Sequence, residues 1–222
     1  SGLTTSDIEL IISLHNELRN KIANGEQSKH GFPSAANMME MEWDDELSSI
    51  AQWHASQCRF KHESYAERRS MKFKLVGQNL FLLRKSRFDL QPKWSKIINL
   101  WYEELQIAPN SVVHNFNLHG LNIGHFTQMA WASSRKIGCG FAAFRIVDPK
   151  FKVAHLYTCN YAPSGNRKGN SMYLEGAAMS RCPQSTQPSK KYSALCSYSD
   201  LEKKIKMNKI YVQPNNKTKT FQ

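Results

Sequence analysis

The sequence lacks long apolar runs. Its longest apolar stretches, residues 79–83 and 97–101, are far shorter than the roughly 20 residues that a transmembrane helix requires. The chain of 222 residues is 41% hydrophobic and 11% aromatic, which also excludes wholesale disorder. A folded globular protein without a membrane-spanning segment is therefore expected.

Acidic residues are scarce: 18 Asp and Glu stand against 30 Lys and Arg, a net charge of +12. A basic surface favours anionic partners, among them nucleic acid, glycosaminoglycan and acidic phospholipid. The chain has no zinc-finger spacing, no Gly-rich phosphate loop and no basic segment interleaved with base-stacking aromatics. We expect no nucleic-acid role. Glycosaminoglycan or phospholipid binding through the basic surface stays open as an alternative function.

The common catalytic motifs are missing as well. There is no G-x-S-x-G elbow, and His62-Glu63 lacks the second histidine of the zinc motif H-E-x-x-H. Gly138 and Gly140 lack the third glycine of a dinucleotide-binding loop, and they lie on a predicted strand. Both glycines are therefore interpreted as sites of close packing.

Cysteine spacing favours disulfides over zinc, because no C-x-x-C pair is present. Five cysteines leave at least one thiol unpaired. A chain that begins at Ser1 without Met fits a mature secreted protein, and Asn216 begins a glycosylation sequon. We expect a secreted, extracellular protein.

Helical periodicity dominates the first half of the chain. A capping box at residues 6–9 predicts the first helix, which is expected to end at Asn24-Gly25. His15 lies on its apolar side, where a hydrogen-bonded core histidine is expected rather than a catalytic one. Asp44 or Asp45 is expected to cap a second helix, and a third begins near Pro92.

The second half of the chain contains the strand signals. A strand is predicted near residues 76–81, and a short helix over residues 125–132. Residues 137–147 and 153–160 are predicted to be two strands, joined by a turn at residues 148–150. The two strands form a hairpin that carries Cys139 and Cys159.

Two segments resemble the signature motifs of the CAP superfamily, which comprises cysteine-rich secretory, antigen 5 and pathogenesis-related proteins. They are GHFTQMAW at residues 124–131 and LYTCNYAPSGN at residues 156–166. HNELR, WDDEL, GQNL and WYEE occur in the family's order, so the resemblance covers roughly residues 5–173. The Gly-Gln-Asn form is similar to the insect antigen 5 branch, which includes venom allergens and salivary proteins. Arg167 departs from the apolar or aromatic residue that the family usually has there.

The resemblance implies an α+β fold, namely an α-β-α sandwich with a mainly antiparallel sheet between helical layers. It also implies a CAP domain over residues 1–173 and a hinge-like extension with a disulfide over residues 174–200. Residues 201–222 are then predicted to be a basic, flexible tail.

The family's large cleft carries two histidines and two acids, which correspond here to His62, Gln78, Glu104 and His125. One acid is thus replaced by Gln78, which cannot act as a base. Resemblance supports zinc or copper held by His62 and His125, with Glu104 acting through water or orienting one ring. The alternative is a hydrogen-bonded polar cluster without metal.

The resemblance also assigns the cysteines. It pairs Cys139 with Cys159, and Cys182 with Cys196 in the C-terminal extension. Cys58 is then the free thiol, expected to be buried beside the cleft and inert.

The function implied is that of a secreted, non-enzymatic, monomeric binding protein of the antigen 5 type, from saliva or venom. It would sequester a small hydrophobic mediator, a lipid or a divalent metal, or engage a host protein or glycan surface. Integrin binding through Arg-Gly-Asp is excluded, because the tripeptide is absent. The enzymatic alternative is a metal-dependent hydrolase or a copper redox activity at His62, Glu104 and His125.

Overall fold

The computed structural model describes residues 2–199 of the chain. The helices are α1 (Thr5–Ala23), α2 (Asp45–Ser56), α3 (Trp94–Glu103) and α4 (Gly124–Met129). The strands are β1 (Glu42–Trp43), β2 (Gly77–Lys85), β3 (Lys136–Arg145), β4 (Val153–Ala162), β5 (Thr186–Pro188) and β6 (Cys196–Tyr198). The predicted tail at residues 201–222, with its sequon at Asn216, and the start at Ser1 lie outside the described residues. Among residues 2–199, no helix is both long and apolar enough to cross a membrane.

Helix α1 begins two residues earlier than predicted, and the expected capping box at residues 6–9 is wrong. Thr4 is the N-cap: its hydroxyl accepts a hydrogen bond from the Asp7 N–H (3.1 Å), and Asp7 Oδ2 accepts one from the Thr4 N–H (3.0 Å). Thr4–Asp7 and Ser6–Glu9 have the same spacing and the same chemistry. The sequence pattern alone therefore cannot choose between them.

The main sheet has four strands in the order β1-β3-β4-β2. Strands β3 and β4 form the predicted antiparallel hairpin, with Cys139 opposite Cys159, and β2 pairs antiparallel with the other edge of β4. Only the short β1 runs parallel to its neighbour β3. Every residue of β4 is buried, because the strand lies between two others and both faces of the sheet are covered.

Helices cover the sheet on both sides, which confirms the predicted α-β-α sandwich. On one side α2 packs on β3 and β4, with the imidazole of His54 hydrogen-bonded to the hydroxyl of Thr158 at 2.8 Å. On the other side, one apolar core joins residues of α1 and α3 to the odd-numbered residues of β4. Within this core Trp94 and Tyr157 meet edge to face, with ring centroids 5.0 Å apart.

Gly138 and Gly140 confirm the interpretation as close-packing sites. A Cβ atom at Gly138 would lie 2.1 Å from the backbone nitrogen of Ser48, and one at Gly140 would lie 2.3 Å from the backbone nitrogen of Gln52. Both neighbours belong to α2. The helix therefore lies directly on the β3 backbone, at a separation that no side chain on β3 would permit.

Arg19 of α1 is a buried side chain that binds several backbone segments on the side of the sheet opposite α2. Its side chain is 1% exposed, and it donates six hydrogen bonds to five main-chain carbonyl oxygens. The acceptors are those of Met39, Met129, Trp131, Ala132 and Ser134. Burial lowers the pKa of Arg19 to about 9, which still leaves the guanidinium charged at neutral pH. One side chain thus fixes the segment before β1 and the segment after α4.

The C-terminal segment packs back onto the beginning of the chain. The Cys196 N–H donates to the Met38 carbonyl (2.8 Å), and the Cys196 carbonyl accepts from the Glu40 N–H (2.8 Å). The Ala194 N–H donates to Asn20 Oδ1 of α1 (2.9 Å), and Leu195 belongs to an apolar core. The division of the chain at residue 173 stays a prediction.

His15 is a structural residue, as expected. Its Nδ1 donates to the Ile11 carbonyl (2.8 Å) and its Nε2 accepts from the Tyr161 hydroxyl (2.9 Å), so the buried ring is neutral. Burial lowers its pKa to about 4, although the hydrogen bond to Ile11 opposes the shift.

Acid is expected to unfold the protein partly through His15. In the unfolded chain, His15 binds a proton below about pH 6.5. In the folded chain it does so only below its lowered pKa of about 4. Between these two values the free energy of unfolding should fall by about 3 kcal/mol. Urea unfolding at a series of pH values measures the fall, and His15→Gln should reduce its slope. An equally steep slope in the variant would contradict this assignment.

Candidate cleft site

The cleft lies where the loop after α2 meets the start of β2 and the end of β4. It encloses a cavity of about 430 Å³. The lining residues are His62, Glu63, Ser64, Tyr65, Arg68, Gly77, Gln78, Gln128, Ser164, Gly165 and Asn166. Two of the four predicted cleft residues, His62 and Gln78, are among them. Glu104 and His125 are not.

Glu104 and His125 form one half of the site. His125 Nδ1 donates to Glu104 Oε1 at 2.5 Å, and the two backbone N–H groups of His125 and Phe126 donate to Oε2 at 2.9 and 3.0 Å. The carboxylate thus caps the start of α4 and orients the imidazole at the same time. Trp101 stacks on the His125 ring, with centroids 5.6 Å apart. The hydrogen bond places a proton on Nδ1 and leaves Nε2 on the side of the ring away from Glu104.

His62 and Gln78 form the other half, and here too Nδ1 is the hydrogen-bonded ring nitrogen. The Gln78 amide oxygen only accepts, so His62 Nδ1 donates to it across 3.0 Å. Gln78 is fixed in turn, because its Nε2 donates to Asn160 Oδ1 on β4 (3.2 Å). Desolvation lowers the pKa of His62, although the hydrogen bond to Gln78 opposes the shift. This keeps the His62 ring neutral at pH 7.

The structure brings the two halves together without a direct hydrogen bond between them among residues 2–199. They are linked through β2, since Asn79 follows Gln78 and donates through Nδ2 to the His125 carbonyl at 3.1 Å. His125 is also close enough to His62 to act on its pKa. The four predicted residues therefore form two hydrogen-bonded pairs, His62 with Gln78 and His125 with Glu104.

Glu63 is a cleft residue that the sequence analysis considered only as part of a failed zinc motif. Its Oε2 is 3.4 Å from Gln78 Nε2, and its Oε1 is buried without a hydrogen-bond partner. Burial raises the pKa of this carboxyl. One sequence signal could have identified Glu63: it is an acid that directly follows the cleft histidine His62. The cleft thus holds a second carboxyl group, although it is not at position 78.

The side chains around the cleft limit the kind of metal site that it could form. Within residues 2–199, no cluster of three or more His, Cys, Asp or Glu side chains has the placement of a metal site. A closed structural zinc site therefore does not fit. Because the Nδ1 atoms of His62 and His125 are both engaged, their Nε2 atoms are the donors that could serve an open site, with the remaining ligands taken from solvent.

The five cysteines form two disulfides and one free thiol. The disulfides are Cys139–Cys159 and Cys182–Cys196. The expectation that Cys58 is buried is wrong, since its side chain is exposed. The residue lies two positions after the end of α2 and has a positive φ of 56°.

The exposed Cys58 thiol should react in the native protein. We expect Ellman's reagent to label one thiol per chain without denaturant, and Cys58→Ser to abolish the reaction. The control is the Cys58→Ser protein in denaturant without reductant. Its four disulfide-bonded cysteines should not react with the reagent. Labelling that needs denaturant would show that the thiol is protected.

Comparison with known proteins assigns the class. Residues 12–161 match the model of the CAP family, the cysteine-rich secretory protein family, and the chain belongs to this family. Solved structures agree: that of NaASP2 with Zn2+ is 28% identical, has a TM-score of 0.68, and the match covers 89% of this chain and 98% of that one.

Several similar curated proteins carry venom or toxin names. A cysteine-rich venom protein of Tityus serrulatus is 43% identical over 196 residues, which are 87% of this chain and 46% of that protein. Scoloptoxin SSD552 of Scolopendra dehaani is 38% identical over 195 residues, 88% of this chain and 86% of that protein. The chain thus spans about half the length of the first relative and most of the second.

Proposed function

We propose that this protein is a secreted, non-enzymatic CAP protein of the venom or saliva type, and that its cleft binds one divalent cation, zinc or copper. The Nε2 atoms of His62 and His125 are the protein ligands. The supporting observation is that each ring donates its Nδ1 proton to a fixed oxygen, of Gln78 or Glu104. Metal-binding histidines in proteins are oriented in this way.

The chemistry of the acids supports binding over catalysis. Both oxygens of Glu104 accept hydrogen bonds from residues 125 and 126, so neither is available as a general base. Gln78 cannot take up a proton. A bound divalent ion would act as a Lewis acid, and Glu63, whose Oε1 is buried without a hydrogen-bond partner, is the cleft residue through which the enzymatic alternative would have to activate water. Turnover of ester or peptide substrates that is lost on chelation would contradict this part of the proposal.

Metal binding is tested by titration with zinc or copper in native mass spectrometry, on untagged protein. We expect one ion per chain, and affinity reduced about 100-fold or more in His62→Ala/His125→Ala. The matched control is His30→Ala/His114→Ala, which removes two histidines outside the cleft and should bind like wild type. Equal affinity in both variants would refute the site.

Position 78 offers a sharper test of the same site. Gln78→Glu places a carboxylate behind His62 Nδ1, as Glu104 stands behind His125. The added negative charge makes His62 more basic, so zinc affinity at pH 7 should rise about tenfold. Calorimetric titration measures the change. Gln78→Met removes the acceptor and should weaken binding, whereas affinity independent of residue 78 would show that His62 is not a ligand.

A further inference from the structure

The end of the sheet opposite to the β2 start forms a compact surface distinct from the cleft. The segment after β2 and the β3–β4 turn meet here, because the Lys152 N–H donates to the Lys85 carbonyl at 2.9 Å. The Arg145 guanidinium lies over the Phe88 ring, 5.1 Å from its centroid. We call residues 84–90 and 145–152 the sheet tip.

The sheet tip has a strong excess of positive charge. Its six basic residues are Arg84, Lys85, Arg87, Arg145, Lys150 and Lys152, against the acids Asp89 and Asp148. Both acids are engaged: Asp89 pairs with Lys85 and Lys93, and Asp148 accepts the backbone N–H groups of Lys150 and Phe151 at 2.8 and 2.9 Å. The surface is thus complementary to an anionic partner.

Apolar side chains point into solvent at the same place. The exposed fractions are 55% for Phe88, 48% for Leu90 and 108% for Val147. The hydrogen bonds to Asp148 fix the turn that begins directly after Val147, and the Val147 side chain is fully exposed. Single exposed apolar residues are ordinary, but three of them within a basic cluster mark an interaction surface.

A groove runs between the charged and the apolar groups. Its volume is about 420 Å³, and it is lined by Phe88, Arg145, Ile146, Asp148, Phe151 and Lys152. The two cations outnumber the one carboxylate of Asp148, whose Oδ1 already accepts two backbone N–H groups, so an anionic headgroup would meet a net positive charge while its acyl chains lay beside Phe88 and Val147. Peripheral membrane binding combines these two contributions: insertion of apolar side chains and attraction of basic ones to acidic lipid.

We propose that the sheet tip docks on membranes containing anionic phospholipid, such as phosphatidylserine. A sulfated glycan would use the basic residues but would leave Phe88, Leu90 and Val147 in water, so the exposed apolar side chains favour the bilayer. The surface is independent of the cleft histidines and of any metal they bind.

The experiment is vesicle co-sedimentation with the full chain. Vesicles contain phosphatidylcholine with about 30 mol% phosphatidylserine, and pure phosphatidylcholine vesicles are the reference. Arg87→Gln/Lys150→Gln should bind about 25-fold more weakly than wild type, since each basic residue near an acidic surface contributes about fivefold. Arg167→Gln/Lys168→Gln, which removes the same charge from an exposed loop elsewhere, should bind like wild type.

A second pair of variants tests the apolar contribution. Val147→Ser should weaken vesicle binding severalfold, whereas Met71→Ser, at a residue that is 97% exposed on a different loop, should not. Equal losses in the two charge variants would overturn the proposal, as they would show an effect of total charge. Binding to heparin without binding to the vesicles would overturn it in favour of a glycan partner.

Discussion

Replacing Arg19 by methionine is expected to lower the free energy of unfolding by about 4 kcal/mol. The substitution removes six hydrogen bonds from the interior and leaves carbonyl oxygens of Met39, Met129 and Ser134 without this donor. A buried acceptor that loses its partner carries its desolvation cost without compensation. Urea unfolding followed by tryptophan fluorescence measures the change.

Two further variants separate the possible causes. Arg19→Lys keeps the positive charge with only three donors and should fall between wild type and Arg19→Met. Arg59→Met removes an exposed arginine and should change stability by less than about 0.5 kcal/mol. If Arg19→Met unfolded at the wild-type urea concentration, the carbonyls would not depend on the guanidinium.

Gly138→Ala is expected to destabilise the protein by about 3 kcal/mol, since the new methyl group has no space. Its Cβ would lie 2.1 Å from the Ser48 nitrogen and 2.6 Å from the Asp44 carbonyl oxygen, both of them backbone atoms. The helix must move away from β3, which strains or breaks contacts along its length. For a chain of this size the melting temperature should fall by roughly 6–12 °C.

The matched control is Gly124→Ala. A Cβ at Gly124 would have its nearest neighbour, Nδ2 of Asn166, at 3.7 Å, which is an ordinary van der Waals contact. Its melting temperature should stay within a few degrees of wild type. An equally small change for Gly138→Ala would mean that α2 adjusts without cost, and that the close approach of helix and strand is not required.

Most of the fold could be predicted from the sequence, because its signals are local and redundant. Apolar spacing predicted α1, α2 and α3, and the turn at residues 148–150 predicted the hairpin of β3 and β4. The parallel pairing of β1 was not predicted, since two residues carry no periodicity. Glycine within a predicted strand indicated that Gly138 and Gly140 are sites of close packing. The sequence did not indicate that helix α2 is what packs there.

The cleft could be predicted less completely. The motifs indicated four residues, which the structure places as two hydrogen-bonded pairs, but which ring nitrogen is engaged depends on the folded chain. Glu63 was missed because its proximity to Gln78 arises from the path of an irregular loop. The prediction that Cys58 is buried was wrong for a similar reason. Cys58 lies in the irregular segment after α2 and has a positive φ, which the sequence pattern did not indicate.

The docking of residues 192–196 against α1 has a consequence for synthesis of the chain. Tyr192, Ala194 and Leu195 complete the core that contains Ile22 and Phe32. At about 5–20 residues per second, roughly 10–30 s separate the emergence of these two parts from the ribosome. During that interval the core around Ile22 and Phe32 lacks three of its side chains, so this part of the molecule cannot be completed until residues 192–195 have been synthesised.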